Sequence, residues 1–464
     1  MPGALQTWPI WPEFSAAKGE ADPTGELLQY KKDIVAIYGE EAIKKSWLKV
    51  CKELESLTEE IADKGTAIIP EVKYEDLFEM GKEKKEELKK RGCFVVRGAV
   101  SKEQAMTWFG NLKGYYADNK ADISGKYICR FQIFDVQRWE LRYATGWPKE
   151  TPFVLKLYWS PTQLAARSHP NQLRIQQELN SWWHDSTTSP TTYPDPLTYV
   201  DAVRIRPPGI PFMGLGPHID AGSICRWTDP AYRGVYSRIF SGEPENHDCY
   251  DMEARKEAKQ ASPGSYHSTV LRAFQGWTAL TGAGKQEGSL ILYPDVKTTI
   301  AYVLLRPFFS PPPSEKEEDI MDATKWTFDI STSWFPGTFK MDSQMASPSS
   351  HPHLRMRECM VNIPRMEPGD TIWWHCDMLH AVEVDHLGKD DASVVYIAAT
   401  PTTEMNKIYV KKQAEDFLNG GAVPGVFQSE NERDKKERVF KGWVGEGGIL
   451  SGLEGRLAMG LVGL

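Results

Sequence analysis

From Glu26 to Lys64 the chain reads ELLQYKKDIVAIYGEEAIKKSWLKVCKELESLTEEIADK. Apolar residues recur there at mixed three- and four-residue intervals, the period of a helix that buries one face. A second stretch with the same period, Tyr74 to Lys90, stops at Arg91-Gly92, a normal helix exit. The pattern then changes character. Cys93 to Val96 is a short apolar run of strand type, and Ser101, with Gln104 three positions on, resembles a capping box that opens the next helix.

Strand-like runs dominate the middle of the chain. TYVDAVRIRPPG alternates ahead of a Pro-Pro-Gly turn, and GSLILYPDV is a short apolar run ending in Pro-Asp. TIAYVLLRPFF reads as another strand, followed by SPPPSEKEED, a surface loop. CMVNIPRMEPGDTIWWHCDMLHAVEVD gives strand, Pro-Gly-Asp turn, strand, and DASVVYIAATP closes the series. From Thr403 the pattern is helical again, ending in a glycine-rich tail. Many short strands between helical ends predict a mainly β fold with flanking helices, either an antiparallel barrel or a double-sheet jelly roll. The expected division is an N-terminal arm and helices over 1–90, a core over 91–402 and a helical extension over 403–464.

Composition narrows the function classes. The chain has 464 residues, 41% hydrophobic and 25% charged, with a formal net charge of -8. That is ordinary globular usage, with no basic excess to neutralise phosphates, so nucleic acid is not an expected partner. The lysines of Lys82 to Lys90 alternate with glutamates and read as a solvated helix face. Cys51, Cys93, Cys129, Cys225, Cys249, Cys359 and Cys376 form no C-x-x-C pair, which suits free thiols in a reducing compartment. No signal-peptide pattern and no bilayer-length apolar run is visible, so a cytoplasmic protein without a membrane partner is expected.

Candidate chemistry centres on GLGPHIDAGSICRW. On a strand, side chains two apart share a face, so His218 and Asp220 can grip one ion. A third ligand has to come from elsewhere, and WWHCDMLHAVEV offers His375 and His380. Their odd separation puts them on opposite faces of a regular strand. His380, with a strand continuing after it, is the expected ligand, and His375 a packed supporting histidine. Two histidines and one carboxylate on one face of an ion leave positions open, which favours Fe(II) and oxygen chemistry over a closed zinc site. His247, His267, His351 and His353 read as surface or loop residues. TGAGKQEG imitates a phosphate-binding loop but has Gln286 where Ser or Thr is needed.

These segments line up with a known pattern. RGCFVVRGAVSKEQA, GWTALTGAGKQEGSLILYPDV, PHID and PGDTIWWHCDMLHAV resemble the phytanoyl-CoA-hydroxylase-like dioxygenases. FQGWTAL, AYVLLRP and GDTIWWHCDMLHAV are most similar to the YbiU/DUF1479 family within that superfamily. The resemblance spans about Arg91 to Pro401. It implies a double-stranded β-helix (cupin-like) core with inserts at about 226–264 and 310–357. It also implies Fe(II) held by His218, Asp220 and His380, and 2-oxoglutarate as cosubstrate. Superfamily members carry an arginine shortly after the distal histidine to hold the cosubstrate's far carboxylate, whereas HLGKDDASVVYI has only Lys389. Arg306 is the first candidate in its place, followed by Arg204 and Arg206, because a guanidinium can grip a carboxylate with two bonds.

The expected activity is oxidation of a small molecule, amino-acid-like or carboxylate-bearing, with O2, releasing succinate and CO2. Hydroxylation is the default outcome, with cyclisation or desaturation as variants. Two alternatives use the same barrel: a metal-dependent oxygenase or isomerase without 2-oxoglutarate, and a barrel that binds a ligand without chemistry.

Overall fold

The computed structural model describes residues 24–123, 153–185, 193–212, 215–220, 222–257, 270–338, 343–424 and 436–463, together with Leu5, Trp8, Pro9, Trp11, Glu13 and Thr187. Most of the expected N-terminal arm, Cys129 and His267 lie outside the described residues.

Two sheets lie at the centre. The larger runs in the order β1 (Glu71–Lys73), β2 (Cys93–Arg97), β13 (Thr371–His375), β7 (Phe274–Ala279), β15 (Ala392–Pro401), β5 (Val203–Arg206) and β3 (Val154–Leu155), with β4 (Pro196–Leu197) on the end of β15. The smaller runs β11 (Gln344–Met345), β6 (His218–Ile219), β14 (His380–Val382), β8 (Leu290–Leu292) and β12 (Val361–Asn362). A separate ribbon pairs β9 (Phe309–Ser310) with β10 (Thr327–Phe328). From β5 to β8 the chain alternates between the two sheets, and it alternates again from β12 to β15.

The sheets share one buried apolar cluster. Phe274, Trp277 and Ile372 enter it from the larger sheet, and Ile219, Ile291 and Ala381 from the smaller. Across the gap the Trp374 ring lies 5.3 Å from that of His380. Directly opposed residues of an antiparallel pair share a face. Val394 opposes both Arg204 and Ala279, Tyr396 opposes Trp277, Ala398 opposes Gln275, and Gln275 opposes Trp374. Arg204 and Tyr396 are therefore on the face that Trp374 turns toward His380.

The register also gives the core two ends. Arg206 pairs with Ala392 at the start of β15, whereas Phe274 pairs with Ala399 near its finish and with His375. The Phe274 end is thus the rim where β13 stops and the turn 376–379 delivers His380 to β14.

Helices cover this core. The helical stretch from Glu26 forms as Glu26–Tyr38 and Glu40–Lys64, broken at Gly39, whose φ of 87° an L side chain rarely adopts. Ile43, Trp47, Val50, Leu54, Leu57 and Ile61 form the buried stripe of the second helix. Trp47 stacks on Phe309, with ring centroids 4.3 Å apart. The predicted helix over Tyr74 to Lys90 is two pieces, a 3-10 turn Glu75–Phe78 and a helix Lys82–Arg91, with Gly81 between them. It ends as expected at Gly92, in the left-handed conformation, where an added Cβ would meet Met378 and Val296 at 3.0 Å. Ser101 caps the following helix, its Oγ accepting from Gln104 N at 3.2 Å.

Three expectations are corrected. TIAYVLLRPFF is not a strand but the helix Lys297–Leu305 running into a 3-10 turn, Arg306–Phe308. Every residue from Thr298 to Leu305 is buried, and a helix without a polar face has the same hydropathy pattern as an interior strand. The local start signal was Asp295, which accepts from Thr298 N at 2.8 Å. The stretch Thr371 to Val382 is also not one strand: β13 and β14 belong to different sheets, so the face parity of His375 and His380 does not apply. Finally, the fold is not mainly β. More of the described residues are helical than extended, because most strands are only a few residues long and helices fill the connections. TGAGKQEG links β7 to β8 and precedes no helix, in keeping with its rejection as a phosphate loop.

Lys31 is a cost of this architecture. It is 0% exposed, its Nζ has no hydrogen-bond partner among the described residues, and it lies 5.1 Å from the Phe335 ring centroid. Burial lowers its pKa to about 7, with Asp329 opposing and Arg306 adding to the fall. The unfolded chain binds this proton up to its ordinary pKa, whereas the folded chain releases it near pH 7, so stability rises with pH between the two values. Lys31→Met should therefore stabilise the protein by up to about 5 kcal/mol at or below pH 7, and the gain should fade toward pH 10.5. Urea unfolding of both proteins at several pH values measures this.

Candidate metal centre

β6 and β14 are neighbours in the smaller sheet, and their register sets His218 directly opposite His380. Their rings lie 4.2 Å apart between centroids. Asp220 follows β6 at once, with Oδ1 3.3 Å from His218 Nε2 and Oδ2 3.7 Å from His380 Nε2. His218 Nδ1 donates to the Gly216 carbonyl at 2.7 Å, and His380 Nδ1 to the Met378 carbonyl at 3.0 Å. A carbonyl can only accept, so each neutral ring carries its proton on Nδ1 and keeps an Nε2 lone pair facing Asp220.

Electrostatics favour the protonation states a cation needs. Burial opposes the Asp220 charge, but a hydrogen bond from protonated His218 and the charges of Arg272 and of the two imidazoles when protonated outweigh it and hold the carboxyl well below the usual range, so it is ionised before either ring gives up its proton. Burial, then the neighbouring His218, pushes His380 down to about 4, so its imidazole is neutral at ordinary pH. One ligand atom from each of the three residues lies within 4.8 Å of the others. An ion about 2.1 Å from each donor fits that spacing. The histidine side chains are 5% exposed and that of Asp220 is 28% exposed, so the cluster opens on the carboxylate side.

His375, Cys376 and Asp377 also bring donor atoms close together, but their donors are already used. His375 Nε2 donates to the Cys249 carbonyl at 3.0 Å, its Nδ1 accepts from Asp377 N at 3.0 Å, and the ring stacks on Trp183. Burial lowers its pKa to about 4. Asp377 is a buried ionic hub that accepts from Arg255 Nη2 at 2.6 Å and Tyr236 Oη at 3.0 Å, with Arg226 Nη2 3.4 Å away. The segment after β6 is thereby tied to the turn that carries His380.

The three arginine candidates separate clearly. Arg306 is fully buried between Trp326 and Trp334, donating to the Ser350 and Phe309 carbonyls at 2.8 and 2.6 Å. It sits in the layer under the N-terminal helices, not in a strand facing the cluster. Arg206 is spent on backbone: it donates to the carbonyls of Ile210, Glu383 and Val384 and so closes the far end of the core. Arg204 shares its inner face with Arg206, but its Nε is buried and without a partner among the described residues. His247, His351 and His353 lie in irregular segments, as read, but are buried instead of exposed; the His353 ring packs edge-on to Trp47 at 5.3 Å.

Arg272 and Tyr199 carried no signal in the sequence. Arg272 stands two residues ahead of β7, half-buried, with its guanidinium 5.1 Å from the Tyr199 ring centroid. The nearest thing to a cue was one more basic residue just outside an apolar strand, where rim residues of many kinds occur.

The chain thus has two sheets traversed alternately under a helical mantle, with a His–Asp–His cluster whose residues could hold a metal ion. The chain belongs to the Gig2-like family, whose model matches residues 23–461. It is 30% identical to YbiU of Escherichia coli K12 over 383 residues, covering 81% of this chain and 83% of that protein. Among solved structures it is similar to GIG2 (DUF1479) of Candida albicans, with a TM-score of 0.78, 25% identity and coverage of 96% and 91% of the two chains. A Salmonella typhimurium LT2 protein, provisionally named an oxidoreductase, matches with a TM-score of 0.75, 25% identity and coverage of 96% and 99%. Among the described residues no helix is long and apolar enough to cross a membrane.

Removing the hub carboxylate leaves two buried arginines without their counter-ion. Asp377→Ala should lower stability by about 3–5 kcal/mol, read as a fall in the urea midpoint, whereas Asp377→Asn, which keeps acceptor and shape, should lose less.

Proposed function

We propose that this protein is a non-haem Fe(II)- and 2-oxoglutarate-dependent oxygenase acting on a small molecule. The observation that carries the reading is the cluster itself: two imidazoles and one carboxylate converging on a point, the carboxylate side partly exposed. This donor set is the facial triad, which leaves three of six positions for cosubstrate and O2. The strand order supports it, since two sheets filled alternately by β5–β8 and β12–β15 form the order of a double-stranded β-helix. The Salmonella neighbour's name points the same way at a coarser level.

His218, Asp220 and His380 would hold Fe(II), and bound Fe(II) with 2-oxoglutarate supplies a two-electron oxidation of an unactivated C–H bond. One oxygen atom of O2 ends in succinate and the other in the product, with CO2 released. Asp220 keeps the ion's charge at +1, so a dianionic cosubstrate still needs a cation at its far end. The register supports Arg204 as that cation. Arg204 opposes Val394 near the start of β15, on the strand where the wider superfamily carries its arginine, so the cation is displaced one strand sideways on the same face. Tyr396, also on that face, lies within the electrostatic reach of both Arg204 and Asp220. The Trp374 ring packs beside the cluster, 5.3 Å from that of His380.

Anaerobic titration with Fe(II) and then 2-oxoglutarate, followed by succinate measurement in air, tests the reading. Asp220→Ala and His218→Ala should lose at least about 100-fold in metal affinity and form no succinate. Arg204→Met should bind metal as before but raise the KM for 2-oxoglutarate by about 10–100-fold, the loss of one buried charge-assisted contact. Metal binding without succinate would point instead to a metal enzyme that does not use 2-oxoglutarate.

A further inference from the structure

The core holds a second guanidinium that the cosubstrate does not require. Arg272 is at the rim: the carbonyl of its neighbour Ala273 accepts from Cys376 N at 3.2 Å, at the turn that leads to His380. Arg204 is deep. Their attachment points on β15, Ala399 (through Phe274) and Val394, are five residues apart, about 16 Å along an extended strand. If one small dianion chelated at the ion is held by Arg204, Arg272, within the electrostatic reach of Asp220, is left over.

The state of Arg272 is unusual beside the other core arginines. Arg206, Arg226, Arg255 and Arg306 are each fixed by backbone carbonyls or Asp377. Arg272 is held by stacking on Tyr199, itself stacked on Tyr409 at 5.9 Å, and no hydrogen bond or ion pair among the described residues occupies its guanidinium. Stacking fixes the plane and leaves the N–H edge free, the arrangement suited to two-point contact with an oxyanion. Asp201 and Asp220 lie within its electrostatic reach and reinforce its positive charge.

We infer that the oxidised substrate carries an oxyanion, a carboxylate or a phosphate monoester, and that Arg272 on its Tyr199 shelf holds it at the rim beside the metal ligands. This rests on the oxygenase reading above, because the ion and cosubstrate define which cation is left over. Charge is compatible with it: Fe(II), Asp220, 2-oxoglutarate and Arg204 sum to zero, and Arg272, whose surroundings include Asp201, is the remaining cation beside the ligands.

Equilibrium binding to the full-length protein loaded with redox-inert Mn(II) and 2-oxoglutarate tests this, with benzoate, phenyl phosphate and neutral benzamide as probes. At least one anion should bind about tenfold or more tighter than benzamide, and which anion wins distinguishes carboxylate from phosphate. Arg272→Gln should erase that preference while 2-oxoglutarate affinity stays within about twofold, and Arg272→Lys should restore part of it. Thermal melting of each variant shows that the fold is intact. The inference is overturned if neither anion outbinds benzamide, if the preference survives Arg272→Gln, or if that variant weakens 2-oxoglutarate instead. Failure of the oxygenase reading is separate, since it shows as wild-type protein that takes up no Mn(II) or 2-oxoglutarate before any probe is added.

Discussion

Two imidazoles can share an ion only if their backbones are held at a fixed separation and both rings are turned the same way. Here the register of β6 against β14 supplies the first condition and a pair of carbonyls, those of Gly216 and Met378, supplies the second. β6 is a two-residue strand and β14 a three-residue one, too short to hold such a register unaided. Their neighbours do it. β11 and β8 flank them in the sheet, and Tyr293 N donates to the Leu379 carbonyl just before His380. The core is thus a frame for two short strands, and most of the helical mass is packing for that frame.

The parts legible in the sequence were those with a local signature. A glycine exit at Gly92, a serine cap at Ser101 and the two-residue step from His218 to Asp220 are written in adjacent residues. The helix Lys297–Leu305 was not legible, because burial on every side removes the polar stripe that distinguishes helix from strand. The relation of His375 to His380 failed for a different reason. Parity along a strand assumes one sheet, and the chain changes sheets between them, which no hydropathy pattern records.

The arginines show the limit most plainly. In sequence, Arg204, Arg206 and Arg306 are equivalent cations beside apolar runs, and the difference is how many of their N–H groups the fold has already used. Arg206 and Arg306 satisfy backbone carbonyls that would otherwise be buried without partners, a structural duty as stringent as catalysis. Among the described residues, no such backbone bond occupies Arg204 or Arg272. Availability of donors, more than position near a motif, separates a binding arginine from a structural one, and it can be read only after folding.

The ionic hub at Asp377 explains why the segment between β6 and β7 is more than a cover over the entrance. A buried carboxylate facing two arginines and a tyrosine stabilises little in net terms, since desolvation offsets much of the attraction. What it does provide is geometric: charged partners tolerate few arrangements, whereas apolar side chains tolerate many. Arg226 and Arg255 come from the segment after His218 and Asp220, Asp377 from the turn before His380. His375, neutral and bonded through both nitrogens, locks the same turn from the other side. His380 is therefore positioned by chain that lies next to His218 and Asp220 in sequence, and the two halves of the cluster cannot drift apart without breaking a pair of buried charges.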